Sequence, residues 1–421
     1  MDKFIINVPG DKSITHRCIL LSAIAEGISI IKHYSAGLDC QSSLNAIKQL
    51  GVSYQIYATH LEIDGVGLDG LSLPETAIDC GNSGTTMRLL MGLLNGADIP
   101  ATLVGDNYLT KRPMQRVKDP LTLMGSDIIL SENNTAPVIV KSNQGLHAID
   151  YTMPIASAQV KSAIILAAIY ADGVTSITET AITRDHTEHL LKLYGHVCER
   201  KNNQITVQPA AKLNPINYTV PGDFSAAAFW IVAGLIVPDI QIEIKTVGIN
   251  PTRTGLLEIL ALMGAKIDII PIDNDGIEPV GDVVVSHCGL KGIKVPEHLV
   301  SLAIDEFPII FVAAACAEGV TEIRGLAELR FKETDRISAM TDNLRSLGIL
   351  VEELPDGVII TGGELQGGEV DSFGDHRIAM AMAIASLAAV GKVNIFNRDV
   401  VDVSYPGFFG ELEKIKNVLI N

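Results

Sequence analysis

The sequence predicts an α/β protein of two similar domains. Three observations carry this: a length of 421 residues, one helix-glycine-strand unit that recurs along the chain, and two Pro-Gly-Asp tripeptides where a strand-like run meets a helix-like one. A chain this long exceeds the size at which a single hydrophobic core stops growing, so two domains of roughly 200 residues each follow.

The recurring unit emerges when LNAIKQLGVSYQI, LTLMGSDIIL, LLKLYGHVCE, LEILALMGAKIDI and LRSLGILVEEL are aligned. Their glycines, Gly51, Gly125, Gly195, Gly264 and Gly348, stand roughly 70 to 85 residues apart, and a helix over 410–418 completes a sixth copy. In a second series, small-residue helices turn directly into strands: LLSAIAEGISII, LAAIYADGVTSI, FVAAACAEGVTEI and LAAVGKVNIF. A glycine at each helix end suits the left-handed cap that a β-branched residue adopts only with strain. Each unit reads as two helices with several strands, and six units divide into two groups of three. The tripeptides at 9–11 and 221–223 are the crossovers, which gives one domain over 12–221 and another over 1–11 with 222–421. Both also fit ordinary turns within one domain.

Lys+Arg number 32 against 49 Asp+Glu, a net charge of -17, which opposes a nucleic acid or an anionic membrane as partner. The partner is a small molecule, and an anionic one must be held by a local cluster of cations. Six cysteines without a CxxC pair fit neither a disulfide framework nor a thiolate zinc site, so a reducing cytoplasm is the setting. The N-terminus lacks a signal-peptide pattern, and apolar runs such as 379–390 are too short to span a bilayer.

Cations concentrate at helix starts. Lys12, Ser13 and Arg17 follow Pro9-Gly10-Asp11, where free N–H groups and the helix dipole favour an anion, although Ile6 and Asp11 stand where a P-loop needs glycines. The segment 79–88, with Gly84 and Arg88, offers close backbone approach at the start of an apolar helix. Lys111-Arg112-Pro113 adds two adjacent cations. Ser157-Ala158-Gln159 and Thr183-Arg184-Asp185-His186 open two further helices, and their hydroxyls also fit plain N-caps. Gly65 to Gly70 matches GxGxxG, but Pro74 stands where the helix of a dinucleotide site belongs. His186, His189 and His196 share one face if their segment is helical, without a carboxylate or cysteine at a matching step, so no metal is assigned. In the second half, Asp305-Glu306 interrupts an apolar run, the segment 330–336 packs five charges into seven residues, and Asp375-His376-Arg377 opens another apolar helix. If helical, Lys332 and Arg336 form a like-charge i,i+4 pair.

Taken together and in this order, PGDKSITHR, GNSGTTMR, KRPM, SAQVKSA, RFKETDRI and GDHRIAMA resemble the motifs of the 5-enolpyruvylshikimate-3-phosphate synthase family, from Pro9 to about Phe409. The resemblance implies the enolpyruvyl transferase fold: two domains, each of three βαβαββ units in an inside-out α/β barrel, closing on substrates in the cleft between them. It implies transfer of the enolpyruvyl group of phosphoenolpyruvate to the 5-hydroxyl of shikimate 3-phosphate, as in aromatic amino acid biosynthesis, by a monomer without a cofactor.

The implied roles follow position by position. Ser13 and Arg17 hold the shikimate carboxylate, and Ser157, Ala158, Gln159, Thr183 and Arg184 surround its phosphate. Lys12, Asp305 and Lys332 also touch this substrate. Lys12, Arg112, Arg336 and Arg377, with the backbone at Gly84, the amide of Gln159 and Glu333, bind phosphoenolpyruvate. Asp305 takes the hydroxyl proton and Glu333 handles the methylene proton, with Lys12 or Lys332 assisting.

Departures from the pattern are Val403, where many members have Lys, and Glu328, where an Asn often contacts substrate. Ala158, Arg184 and Leu89 resemble the second bacterial class, often tolerant of the family's inhibitor glyphosate, while Gly84 keeps the small residue of sensitive forms. The competing readings are a UDP-N-acetylglucosamine enolpyruvyl transferase, which has Asn where Ser13 stands and a loop Cys, and a catalytically silent phosphate-binding protein, which would lack Asp305 or Glu333.

Overall fold

The computed structural model describes residues 2–273 and 277–419. The chain gathers into two compact units, one of Gly10–Val220 and one of Met1–Pro9 with Pro221–Asn421.

In the first unit one sheet pattern repeats. Strands Ile78–Asp79 and Ala101–Val104 pair in parallel, and Val138–Val140 and Ile128–Ile129 continue the sheet antiparallel. Asp150–Thr152, Thr175–Thr178, Gln204–Val207 and Glu199–Lys201 repeat that order. So do Asn217–Thr219, Glu26–Lys32, His60–Val66 and Ser53–Ile56, with the edge strand supplied from the far end of this unit's chain. The second unit opens likewise, on Asp2–Ile6, Ile240–Gly248, Val280–Ser286 and Ile267–Ile272. Its next sheet has Val320–Ile323, Gly357–Thr361 and Leu350–Leu354, with isolated parallel bridges from Lys291 and Lys294 where the others carry an edge strand. The sixth copy keeps the parallel pair Gly368–Asp371 and Val393–Phe396.

Each copy contributes two helices of different character. Those following the edge strand are α1 (Lys12–Ala23), α3 (Gly84–Gly96), α5 (Ala158–Ala168), α7 (Phe224–Ile236), α9 (Phe307–Ala315) and α11 (His376–Ala388), and they are buried almost all round. Their partners α2 (Leu38–Gln49), α4 (Gln115–Leu123), α6 (His186–Leu193), α8 (Gly255–Leu262) and α10 (Arg336–Ser346) bury one face, and α12 (Phe408–Leu419) follows the last strand. A helix apolar on every side belongs in a core. Small residues bring such helices close: a Cβ on Gly92 of α3 would lie 2.1 Å from the carbonyl oxygen of Ala163 in α5. In the second unit Trp230 of α7 is fully buried, donates its indole N–H to the Tyr405 hydroxyl at 3.1 Å and packs on Phe408, which ties α12 to the core. Truncating such an aromatic to Ala costs about 3–5 kcal/mol.

The five glycines of the first aligned series all adopt positive φ, between 83° and 103°. The second series divides: Gly27 and Gly319 are left-handed, whereas Gly173 and Gly391 are not.

Candidate active site

A helix buried on all sides meets water only at its ends, and the charged residues of α1, α3, α5 and α11 lie in their first two turns. Asp11, Ser83, Ser157 and Asp375 cap these four starts, accepting from the N–H of Ile14, Thr86, Val160 and Arg377. The capped turns then present cations where the dipole is positive, an arrangement an anion offsets.

In the unit of Gly10–Val220, Lys12 Nζ lies 2.7 Å from Asp39 Oδ2. Arg17 is only 4% exposed and joins three helices: its Nε donates to Thr187 Oγ1 at 2.7 Å, Nη1 to the carbonyl of Ser13 at 2.8 Å and Nη2 to Ser162 Oγ at 2.7 Å. Gly84 gives its space to Arg112, since a Cβ there would stand 2.7 Å from Nη1. Gln159 accepts from Arg88 Nη1 and donates to Thr85 Oγ1 at 2.9 Å, which joins α3 to α5. Thr183 gives both its backbone N–H and its hydroxyl to Glu179. Thr183 precedes α6, whose N-cap is Asp185, and Arg184 lies between them.

Behind the first turns of α1 and α3 runs a buried relay. His16 Nδ1 meets Ser43 Oγ at 2.8 Å, and Ser43 meets Thr86 Oγ1 at 2.8 Å. Burial pulls the His16 pKa down to about 3, with Lys12 and Arg17 adding to that effect and Asp39 opposing it, so the ring is neutral near pH 7.

In the other unit, charges of both signs meet. Lys332 Nζ and Arg336 Nη1 stand 3.3 and 3.4 Å from the same Asp305 oxygen, and Arg377 Nη2 lies 3.8 Å from the other. Arg336, 1% exposed, also reaches Glu333 at 2.6 Å and Asp375 at 2.7 Å. Burial works against its charge, but the carboxylates of Asp375, Glu333 and Asp305 more than offset this and raise its pKa. Burial likewise pushes the Lys332 ammonium down, with Asp305 pulling the other way. The structure thus brings Asp305, Lys332, Glu333, Arg336 and Arg377 together. Lys332 precedes α10, so the like-charge helical pair does not form, and both cations lean on Asp305 instead. Arg330 and Asp335 of the same charged run serve the fold, for they pair at 2.6 Å and Asp335 caps α10.

The remaining sequence features resolve differently. The glycines from 65 to 70 leave strand His60–Val66 and enter no helix. Helix α6 ends at Leu193, so His196 does not share a helical face with His186 and His189. Val403 ends a 3-10 turn over Arg398–Val403, and Glu328 lies in another over Ala327–Phe331. Asp39 and Glu179 are not visible as site residues in the sequence because neither sits in a glycine- or cation-rich segment, although each fixes a candidate site residue. No helix among the described residues is long and apolar enough to cross a membrane.

Comparison with known proteins agrees along the chain. The family described as EPSP synthase (3-phosphoshikimate 1-carboxyvinyltransferase) matches residues 3–412. A 3-phosphoshikimate 1-carboxyvinyltransferase of Coxiella burnetii is 49% identical over 405 residues, covering 96% of this chain and 92% of the relative. One from Pelobacter propionicus is 48% identical over 411 residues, covering 97% and 95%. Among solved structures, an EPSP synthase from Acinetobacter baumannii superposes with a TM-score of 0.87 at 43% identity, covering 98% of this chain and 95% of that one. The enolpyruvyl transferase NikO from Streptomyces tendae, at 16% identity and a TM-score of 0.78, shares the fold.

Proposed function

The chain belongs to the EPSP synthase family, and from that premise we propose that it transfers the enolpyruvyl group of phosphoenolpyruvate to the 5-hydroxyl of shikimate 3-phosphate with release of phosphate. It is a transferase acting on small molecules, of the two-domain enolpyruvyl transferase fold. We further propose that it works as a cytoplasmic monomer, with neither nucleic acid nor membrane as partner, and that its domains are 12–221 and 1–11 with 222–421.

The residue roles rest most heavily on one observation: two carboxylates, Asp305 and Glu333, hang from the single buried guanidinium of Arg336, with Lys332 beside them. In this reading the 5-hydroxyl oxygen bonds to C2 of phosphoenolpyruvate and its proton passes to Asp305, assisted by Lys332 or Lys12. Carbon C3 gains a proton from Glu333, which gives a tetrahedral ketal. The C2–O bond to phosphate then breaks as C3 returns a proton, and the enolpyruvyl ether remains. No cofactor enters this balance. Arg112, Arg336, Arg377 and Lys12, with the Gly84 backbone and Gln159, grip the anionic groups of phosphoenolpyruvate. Ser13 and Arg17 take the carboxylate of the acceptor, and Ser157, Ala158, Gln159, Thr183 and Arg184 surround its phosphate. Each aligned charge-assisted bond contributes about 1.5–3 kcal/mol.

The test follows phosphate release from phosphoenolpyruvate with different acceptors. Release is expected with shikimate 3-phosphate and not with UDP-N-acetylglucosamine. The opposite preference would move the chain to the sugar-nucleotide reaction, and silence with both would leave only binding.

A further inference from the structure

Beneath the segment assigned to the acceptor's phosphate lies an ion pair that the reaction scheme does not use. Lys161 of α5 and Glu179, which follows strand Thr175–Thr178, have fully buried side chains 3.2 Å apart. Lys161 also stands 2.9 Å from Glu188 of α6, and Arg200 reaches Glu179 and Glu188 at 2.8 and 2.9 Å. Two cations and two carboxylates cancel, so the cluster is not itself an anion site.

What the cluster holds is Thr183. The Thr183 N–H donates to Glu179 Oε1 at 3.1 Å, its hydroxyl donates to the same oxygen, and its carbonyl accepts from Lys161 Nζ at 3.3 Å. Every polar group of one residue is thus fixed from below. A buried ion pair adds little stability over an apolar pair of equal volume, so geometry is the better account of its presence. With its O–H directed to Glu179, the Thr183 hydroxyl has no donor left for a phosphate, which leaves that contact to the adjoining backbone and Arg184.

Resting on the reading of 183–184 as a phosphate-binding segment, we propose that Lys161 and Glu179 are positioning residues that clamp Thr183 and thereby set the affinity for the phosphate of the acceptor. Charge alone makes the opposite prediction for Glu179. Removing a negative charge from beneath a phosphate would tighten binding, whereas removing the clamp loosens it.

The experiment uses the full chain and compares KM for shikimate 3-phosphate with KM for phosphoenolpyruvate. Glu179→Leu is expected to raise the former about tenfold to a hundredfold and leave the latter within about twofold, while Glu179→Gln, which keeps an acceptor oxygen, stays within about twofold in both. A fall in the acceptor's KM in either variant, an unchanged value in Glu179→Leu, or an equal rise in both KM values overturns the clamp. Should Glu179→Leu fail to fold, Lys161→Met/Glu179→Leu leaves the balanced Arg200–Glu188 pair, and the same selective rise is expected of it. An inactive wild-type protein would instead defeat the functional reading itself, so the two failures are distinct.

Discussion

The arginines near the helix starts of the two units differ in their partners, although Lys12 of the first unit pairs with Asp39. In Gly10–Val220, Arg17 rests on two hydroxyls and a carbonyl, and Arg88 on an amide and a carbonyl. In the unit of Pro221–Asn421, Arg336 rests on three carboxylates, and Lys332 and Arg377 lean on Asp305. Neutral partners orient a guanidinium without cancelling its charge, which suits a lasting grip on a substrate's anionic groups. Carboxylate partners do cancel charge, and they bring proton acceptors and donors beside it. One surround suits binding alone; the other, whose Arg336 and Arg377 are also proposed to grip phosphoenolpyruvate, adds groups for proton transfer.

That contrast can be broken by experiment, beginning with the largest effect. Arg336→Met leaves Asp305, Glu333 and Asp375 facing one another without their shared cation, with an expected loss of about 3–5 kcal/mol of stability as well as of turnover. Arg17→Met abandons two hydroxyls and a backbone carbonyl, and about 1–3 kcal/mol is expected. Equal losses in urea denaturation would erase the distinction.

Glu333→Gln should slow turnover by about 10²–10⁴-fold while both KM values stay near those of the wild type. Unchanged turnover removes Glu333 from the chemistry. Arg17→Lys keeps the charge but loses the fork, so the KM for shikimate 3-phosphate should rise about 10- to 100-fold with kcat retained.

The His16 relay sharpens the comparison through pH. Burial lowers its pKa from 6.5 to about 3, so the unfolded chain takes up a proton that the folded one refuses as pH falls through that window. The stability present above pH 6.5 is therefore lost progressively toward pH 3, by about 2 kcal/mol at pH 5. His16→Asn should lose less over the same range, as denaturation midpoints at pH 7 and pH 5 would show; equal losses would exclude His16 as the source.

The smallest effect concerns Gly84→Ala. Its Cβ would sit 2.7 Å from the tip of Arg112, a flexible end that can yield. Stability should change by less than about 0.5 kcal/mol, while the KM for phosphoenolpyruvate rises several-fold. An unchanged KM would detach Arg112 from that substrate.

Much of this was legible in the sequence. The aligned glycines exposed the repeat because a left-handed helix end is a local requirement that a repeated unit repeats. The cations at helix starts stood out because these apolar helices carry their charged residues in the first two turns. The supports were harder to see. Asp39 reaches Lys12 from 27 positions along the chain, and Glu306, one residue from Asp305, turns instead to Ser225. Such partners are chosen by the fold and leave no local pattern. Gly173 and Gly391 show the converse error, where a local pattern promised a left-handed cap that the backbone does not make. The face proposed for the three histidines failed because α6 stops at Leu193, before His196.

The most direct test of the division between gripping and reacting is to run the reaction in D2O and follow label in the methylene group of the enolpyruvyl product. The wild type should deliver deuterium there, Arg17→Lys the same labelled fraction at saturating acceptor, and Glu333→Gln label and product slowed together. Product formed without deuterium would contradict addition and elimination at that carbon, and with it the role given to the carboxylates on Arg336.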